Sequence, residues 1–320
     1  MIVYTTYQDK YLSAIVRFWN RNFKGKRNFF SITEEVFRKR VVEKRNGIEA
    51  FDPAGLILAV DGDEVVGMLH AGVHSEIFCK TCYPDWQGGT QGYIAFICVD
   101  EQHRRMGIGD RLWQCGKNYV GMVSQLVIDG QCLNPFYGNS EYPFTPFWGT
   151  PEGPAVEWSD NETRRFFSKR GFEPRYKAIH LECSIDNVTL GSPPNIEGIE
   201  FVTLANMCPE LGSSKSDAVQ FSEGNFECVT AIEDDIVIGL LSYYPMREVG
   251  EGKFAIYEVQ VLTEYRGKGI GWALLSTVLA KMKERNGKTC DVLTVPAINE
   301  GGLKLYERMG FTPCIEWAIY

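Results

Sequence analysis

The chain has 320 residues, with 33 Lys and Arg against 41 Asp and Glu and a net charge of -8. That length suits two domains or one large one, and 44% apolar with 23% charged residues is the make-up of a globular protein that builds its core without disulfides or metals. The acidic balance argues against sequence-independent nucleic-acid binding, and no run of about 18 apolar residues predicts a membrane-spanning helix.

The opening MIVYTTYQDK lacks the basic start and apolar centre of an export signal. Ten cysteines are scattered, most inside apolar runs, which predicts reduced thiols in a cytoplasmic protein. Along the chain, GLILAVDGDEVVGMLHAG predicts a hairpin turning at Asp61-Gly62-Asp63. An apolar β-type run, YIAFICV, follows, then a polar turn and Arg-x-x-Gly-Ile-Gly over Arg104–Gly109, leading into a helix. SQLVID near 124–129 reads as a strand, and ETRRFFSKRGFEP reads as a helix closed by Gly171 and then a strand.

The same pattern is written twice. Aligning Arg104 with Arg266 places Val99 on Val261, Gly107 on Gly269 and Gly109 on Gly271. The second copy has its own hairpin around Asp234-Asp235, a strand CDVLTVP, and a helix ending at Gly310. Trp272, Leu275, Val278, Leu279 and Met282 fall on one face of the helix after Gly271. Each half then reads helix, hairpin, long strand, glycine turn, helix, strand, helix, strand, which predicts a mixed α/β sheet. The polar, Gly/Pro-rich segment 186–198 predicts a linker between halves 1–185 and 199–320. The first half carries two extra stretches, near 76–90 and 131–156. The aromatics of the second, Phe136, Tyr137, Tyr142, Phe144, Phe147 and Trp148, predict packing, with a substrate lid as the alternative.

A strand feeding a glycine turn and then a helix N-terminus makes an anion site, suited to a diphosphate. Arg104, Arg105, Arg266 and Lys268 add positive charge. Neither copy has the third glycine of a dinucleotide fold or the Gly-Lys-Ser/Thr of a P-loop. A single copy is equally a tight helix start, and the repetition in one context favours ligand binding.

Both halves resemble the GNAT superfamily of acyl-CoA-dependent N-acetyltransferases, whose Arg/Gln-x-x-Gly-x-Gly/Ala motif reads RRMGIG at 104–109 and RGKGIG at 266–271. The resemblance covers most of 1–184 and 199–320 and is strongest in VLTEYRGKGIG. It implies an α/β fold of the α+β type, two tandem GNAT-like domains, each a mixed, mainly antiparallel central sheet flanked by helices. It implies acetyl-CoA as cosubstrate and no metal. By matched position, Val259, Gln260 and Val261 pair with the pantetheine arm, and Arg266, Gly267, Lys268, Gly269, Ile270 and Gly271 hold the pyrophosphate. Asn299 helps hold the cofactor, and Tyr306 protonates the departing thiolate. The first-half counterparts are Cys98, Val99, Arg104, Arg105, Met106, Gly107, Ile108 and Gly109. Glu258 is the candidate base for the attacking amine, or else an exposed strand carboxylate.

Phe167 replaces Tyr306 in the first half, Asp160 replaces Asn299, and Phe96 replaces Glu258. Chemistry is therefore expected in the second half. The first half either binds acetyl-CoA without turning it over or keeps the turn as structure. The expected function is acetylation of a primary amine on a small molecule, without nucleic-acid or membrane partners. Peptide acetylation and a non-catalytic acyl-CoA sensor remain alternatives. His70, His74, Cys79 and Cys82 are zinc-ligand types whose spacing matches no standard zinc pattern, so they are expected to line a strand end and loop.

Overall fold

The computed structural model describes residues 1–43, 50–76, 79–80, 86–128, 136–137, 145–188, 196–207 and 226–320. The first half begins with β1 (Ile2–Thr6) and α1 (Leu12–Phe23), followed by a single turn, α2 (Glu34–Phe37). The hairpin β2 (Leu56–Asp61) and β3 (Glu64–Val73) turns at Gly62, where φ is +60°. The long strand β4 (Gln91–Val99), α3 (Ile108–Val120), β5 (Gln125–Ile128), the short β6 (Val156–Glu157), α4 (Asn161–Ser168) and β7 (Tyr176–Ser184) follow in order.

The second half repeats the plan with β8 (Glu200–Met207), the hairpin β9 (Phe226–Glu233) and β10 (Ile236–Pro245), β11 (Lys253–Val261), α5 (Ile270–Glu284), β12 (Thr289–Thr294), α6 (Glu300–Arg308) and β13 (Thr312–Ile319). Asp234 and Asp235 both take positive φ, 49° and 63°, as a two-residue hairpin turn requires. Gly171 and Gly310 are left-handed at the helix ends, as expected. The buried stripe of α5 contains Leu275, Val278, Leu279 and Met282, while Trp272 is half-buried with Arg308 over its ring. The expected helix before the hairpin is α1 in the first half, and its second-half counterpart falls in 208–225, outside the described residues; in both halves a strand that was not expected comes first. β1 pairs β2 and β8 pairs β9 at the sheet edges, where one face is exposed and the apolar pattern is short and weak.

Strand pairing joins the halves. One sheet has five strands in the order β1-β2-β3-β4-β5. The other has eight, β6-β13-β7-β12-β11-β10-β9-β8. β7, written in the first half, sits between β12 and β13 of the second, pairing Val292 with Leu181 and Trp317 with Ala178. Only β4–β5 and β11–β12 pair in parallel among the described ladders.

The buried apolar side chains follow this exchange. Trp19 and Phe23 of α1, Phe96 of β4 and the insertion residues Phe136, Tyr137, Phe147 and Trp148 share one core with Ala178 and Trp317. The insertion aromatics that are described are therefore packed, as expected, while Tyr142 and Phe144 lie outside the described residues. A second core lies under α5, and a third under α3.

A polar cluster crosses the seam. Asp291 of β12 is fully buried and accepts from Asn28 at 2.9 Å; it meets His180 Nε2 at 2.9 Å, Lys253 at 3.1 Å and Arg27 at 3.3 Å. Arg27 and Lys253 also reach Glu182, at 2.8 and 3.0 Å. Burial alone would raise the Asp291 pKa, but the hydrogen bond with His180 and the Lys253 and Arg27 charges hold it well below the carboxylate range. No helix among the described residues is long and apolar enough to cross a membrane.

Candidate active site

The same opening occurs in both halves. β4 pairs β5 only from Gln91 to Ile94, and β11 pairs β12 only from Lys253 to Ile256. At the next residue, Ala95 or Tyr257, the pairing with β3 or β10 slips by one. The bulge twists each strand away from its parallel neighbour. Beyond it, 96–99 and 258–261 have no ladder partner on that side among the described residues. Their backbone groups form an open edge that an extended chain can join. Cys98 and Val99 lie on the first such edge, and Val259, Gln260 and Val261 on the second. Burial pushes the Cys98 thiol up to about 12 despite the nearby Arg104 charge.

Each edge leads into its glycine turn. Arg104 Nε donates to the Val99 carbonyl at 3.2 Å, and Arg266 Nε donates to the Val261 carbonyl at 3.0 Å. These two arginines brace the turn as well as charging it. Gly107 and Gly269 are left-handed N-caps with φ of 78° and 87°, and no side chain caps either helix. The N–H groups of the first turns of α3 and α5 are thus presented without a side-chain cap. A Cβ on Gly107 would meet nothing within 4 Å, so the space over the turn is open. Gly109 does a different job: a Cβ would come within 3.2 Å of Phe166, so this glycine admits α4, whereas a Cβ on Gly271 would meet Leu305 at an ordinary 3.4 Å. Ile108 and Ile270 are buried anchors, while Met106 is exposed.

The two turns differ in charge. Arg105 is left-handed at φ 65°, where the second half has Gly267 at 78°. Its guanidinium pairs with Glu162 of α4. The first turn of α3 carries Asp110, paired with Arg170, and that of α5 carries no acid. A carboxylate there competes with an incoming phosphate for the helix terminus. Lys268 lies 4.5 Å from the ring centre of Tyr265.

In the second half, Tyr306 of α6 is buried and packs on Phe311. Burial, with the nearby Cys290, Glu152 and Glu258, pushes its phenol far above the usual range, so it stays protonated. Glu258 stands opposite the buried Ser242 at the bulge, and Gln260 donates to its carboxylate. Asn299 caps α6 through its Oδ1, which accepts from Gly302 N at 2.9 Å. Glu258 therefore lies on the open part of β11, and its charge acts on the Tyr306 phenol.

The first half has the same opening with other contents. Asp160 caps α4 by accepting from Thr163 N at 3.0 Å. Phe167 is buried and packs against Tyr320, with ring centres 5.0 Å apart. Burial pushes the Tyr320 phenol up to about 12, and its hydroxyl has no hydrogen-bond partner among the described residues. Phe96 is covered by Trp19 at 5.0 Å, Tyr137 at 5.2 Å and Phe23 at 5.7 Å. Below them a cavity of about 1150 Å³ runs past Cys98, Val99, Arg104, Gly107 and Phe167 to Tyr320.

His70 meets the Tyr137 hydroxyl at 2.9 Å and packs on Phe136, and burial lowers its pKa to about 3. His74 stacks on Tyr93 at 4.3 Å. Cys82 lies outside the described residues. Among those described, no three His, Cys, Asp or Glu side chains stand together as a metal site. Glu152, written in the other half, adds negative charge that helps raise the Tyr306 pKa, a coupling that spacing along the chain does not reveal.

Comparison with known proteins agrees with this geometry. The chain is 37% identical over 65 residues to a mycothiol acetyltransferase of Corynebacterium aurimucosum, covering 20% of this chain and 21% of that protein. Its fold matches a tandem GNAT protein from the clavulanic acid biosynthesis pathway with a TM-score of 0.64 at 17% identity, covering 99% of this chain and 97% of that one. A glucosamine N-acetyltransferase region of a fungal multi-domain GH3 β-N-acetylglucosaminidase matches with a TM-score of 0.66 at 15% identity, over 99% of this chain and 37% of that one. The Acetyltransferase (GNAT) family model matches residues 17–120 and 200–311, more than half of the chain. Two braced glycine turns, two bulged open edges and this match together make the chain a member of the GNAT acetyltransferase family, with the fold present twice.

Proposed function

We propose that the protein transfers an acetyl group from acetyl-CoA to a primary amine of a small molecule, and that the second half carries out the chemistry. The observation that supports this most is that Glu258 lies on β11 just beyond its last pair with β12, and that Tyr306 of α6 is buried and stays protonated. On this reading, the turn from Arg266 to Gly271 and the helix terminus behind it hold the pyrophosphate. The edge Val259–Val261 takes up the pantetheine arm, and Asn299 orders α6 beside it.

Glu258, directly or through water, accepts the proton that the amine must lose. Backbone N–H groups of the open edge stabilise the negative charge that gathers on the acetyl oxygen. Tyr306 donates a proton to the departing thiolate. In the first half Phe96 stands where the second half has Glu258, under the rings of Trp19 and Tyr137.

The cavity over Arg104–Gly109 supports a second reading for that half: acyl-CoA binding without turnover. Calorimetry with acetyl-CoA on the wild type, Gly269→Glu and Gly107→Glu separates these readings. Each substitution puts a carboxylate at the phosphate and strains a left-handed position by about 1–2 kcal/mol, so thermal unfolding is measured alongside. Loss of binding and turnover in Gly269→Glu, with turnover kept in Gly107→Glu, is the expected result. The reverse pattern moves the chemistry to the first half, and no binding by the wild type overturns the acyltransferase reading.

A further inference from the structure

The first half's opening is walled in part by the second half. After α6, β13 crosses to pair with β6 of the first half, Trp317 with Glu157 and Ala318 with Val156. Trp158 N donates to Glu316 O at 2.9 Å, and Arg175 N donates to Ile319 O at 2.6 Å. These bonds fix the strand on the first half's backbone up to Ile319, and Tyr320 follows. Ala318, Ile319 and Tyr320 line the same cavity as the glycine turn and the open edge 96–99.

Tyr320 sits at the place where the two halves differ. Its ring centre lies 5.0 Å from that of Phe167, the residue that matches Tyr306. Phe167 has no hydroxyl to offer the cavity, and Tyr320 beside it has one. The half-buried Tyr320 side chain packs against the core under α3. Its hydroxyl is shielded from solvent and has no hydrogen-bond partner among the described residues. Shielded polar groups are nearly always paired, because an unpaired one has lost its water for nothing. The cavity that Tyr320 lines is where a partner can come from.

That cavity has the parts of a site for a phosphorylated molecule with a long arm. The uncapped α3 terminus and the open space over Gly107 suit the phosphate end. The free edge 96–99 suits an extended arm. Phe167 and Tyr320 form a further part of the wall.

We propose that Tyr320 donates a hydrogen bond to the thioester arm of an acyl-CoA held by the first half, supplying from the second half the hydroxyl that Phe167 lacks. It is a contact residue: no bond is made or broken by it, and turnover stays with Tyr306. This rests on the reading of the first half as an acyl-CoA site. It adds to that reading the group that meets the arm and a dependence on the other half.

The test is calorimetry on the full chain with acetyl-CoA and with ADP, which has a diphosphate and no arm. Gly269→Glu blocks the second half's site, so that binding to the first is read alone. In that background Tyr320→Phe, which removes one oxygen, is expected to weaken acetyl-CoA about fivefold and to leave ADP affinity and the melting temperature unchanged. A merely structural role would move all three together. In the Gly107→Glu background, where the first half is blocked, Tyr320→Phe is expected to change nothing. If Gly269→Glu melts early, the wild type and Tyr320→Phe are compared directly, and one of two binding steps is expected to weaken. Acetyl-CoA bound equally well without the Tyr320 hydroxyl, or ADP weakened as much as acetyl-CoA, would overturn this inference and leave first-half binding standing. A folded Gly269→Glu that binds no acetyl-CoA, beside a wild type that does, would remove the first-half site and this inference together, and acetyl transfer by the second half would stand.

Discussion

The two openings are built alike and filled differently. Ile94 and Ile256 end the parallel pairing, Ala95 and Tyr257 form the bulge, and Arg104 and Arg266 brace the turn through the same carbonyl. Above that frame the second half has a phenol and a carboxylate. The first has Phe96 under a layer of aromatic rings and Phe167 packed against Tyr320. The frame is backbone geometry, which small residues and hydrogen bonds sustain whatever the neighbouring side chains do. The contents are a few side chains that can change without disturbing it. A preserved glycine turn therefore identifies the frame alone, and the proposed division of labour rests on the side chains above it.

The severest way to break the comparison is to attack the seam on which both halves depend. Asp291→Asn would leave Lys253 and Arg27 with less negative charge in a buried place, at a cost of about 3–5 kcal/mol. Urea unfolding should show both halves weakened together, and a loss confined to one half would show that the seam does not couple them. Tyr306→Phe makes the second opening like the first. Turnover should fall about 100-fold, equivalent to about 2.7 kcal/mol, with acetyl-CoA binding kept. The reciprocal Phe167→Tyr should add no activity, and a gain would revise the division of labour.

Acid should act on the aromatic cover of the first half. The unfolded chain takes up a proton at His70 below about pH 6.5, while the folded one resists until about 3. The unfolded state binds the extra proton in that window, so stability rises with pH there and falls as acid is added. His70→Gln should flatten the slope of stability against pH between those limits. The smallest effect belongs to the turns. Arg105→Gly copies Gly267, relieves a left-handed non-glycine residue and should stabilise the first half by about 0.5–1 kcal/mol. Its Glu162 partner is exposed, so little is lost with the ion pair.

Much of this was legible from spacing. Arg-x-x-Gly-Ile-Gly after an apolar run specifies strand, turn and helix by local geometry, and Gly171 and Gly310 mark helix ends by their dihedral freedom. The Tyr306 and Phe167 contrast was equally plain, because helix registers align without reference to anything distant. The leading strands β1 and β8 were not legible, since each is an edge strand with exposed residues interrupting its apolar pattern. Nor were the roles of individual motif residues. Arg104 and Gly109 serve the fold through contacts with Val99 and Phe166, which lie on other elements.

Periodicity and repetition along the chain were sufficient for most element types, the doubling and the two glycine turns, because each depends on residues a few positions apart. The tertiary structure alone decided that β7 crosses into the second sheet, that insertion aromatics pack over Phe96 while a cavity stays open past Val99 and Gly107, and that Tyr306 is buried. Those outcomes come from which edge pairs with which and which apolar faces meet. Such choices are made between segments far apart in sequence, whose local patterns are compatible with several partners.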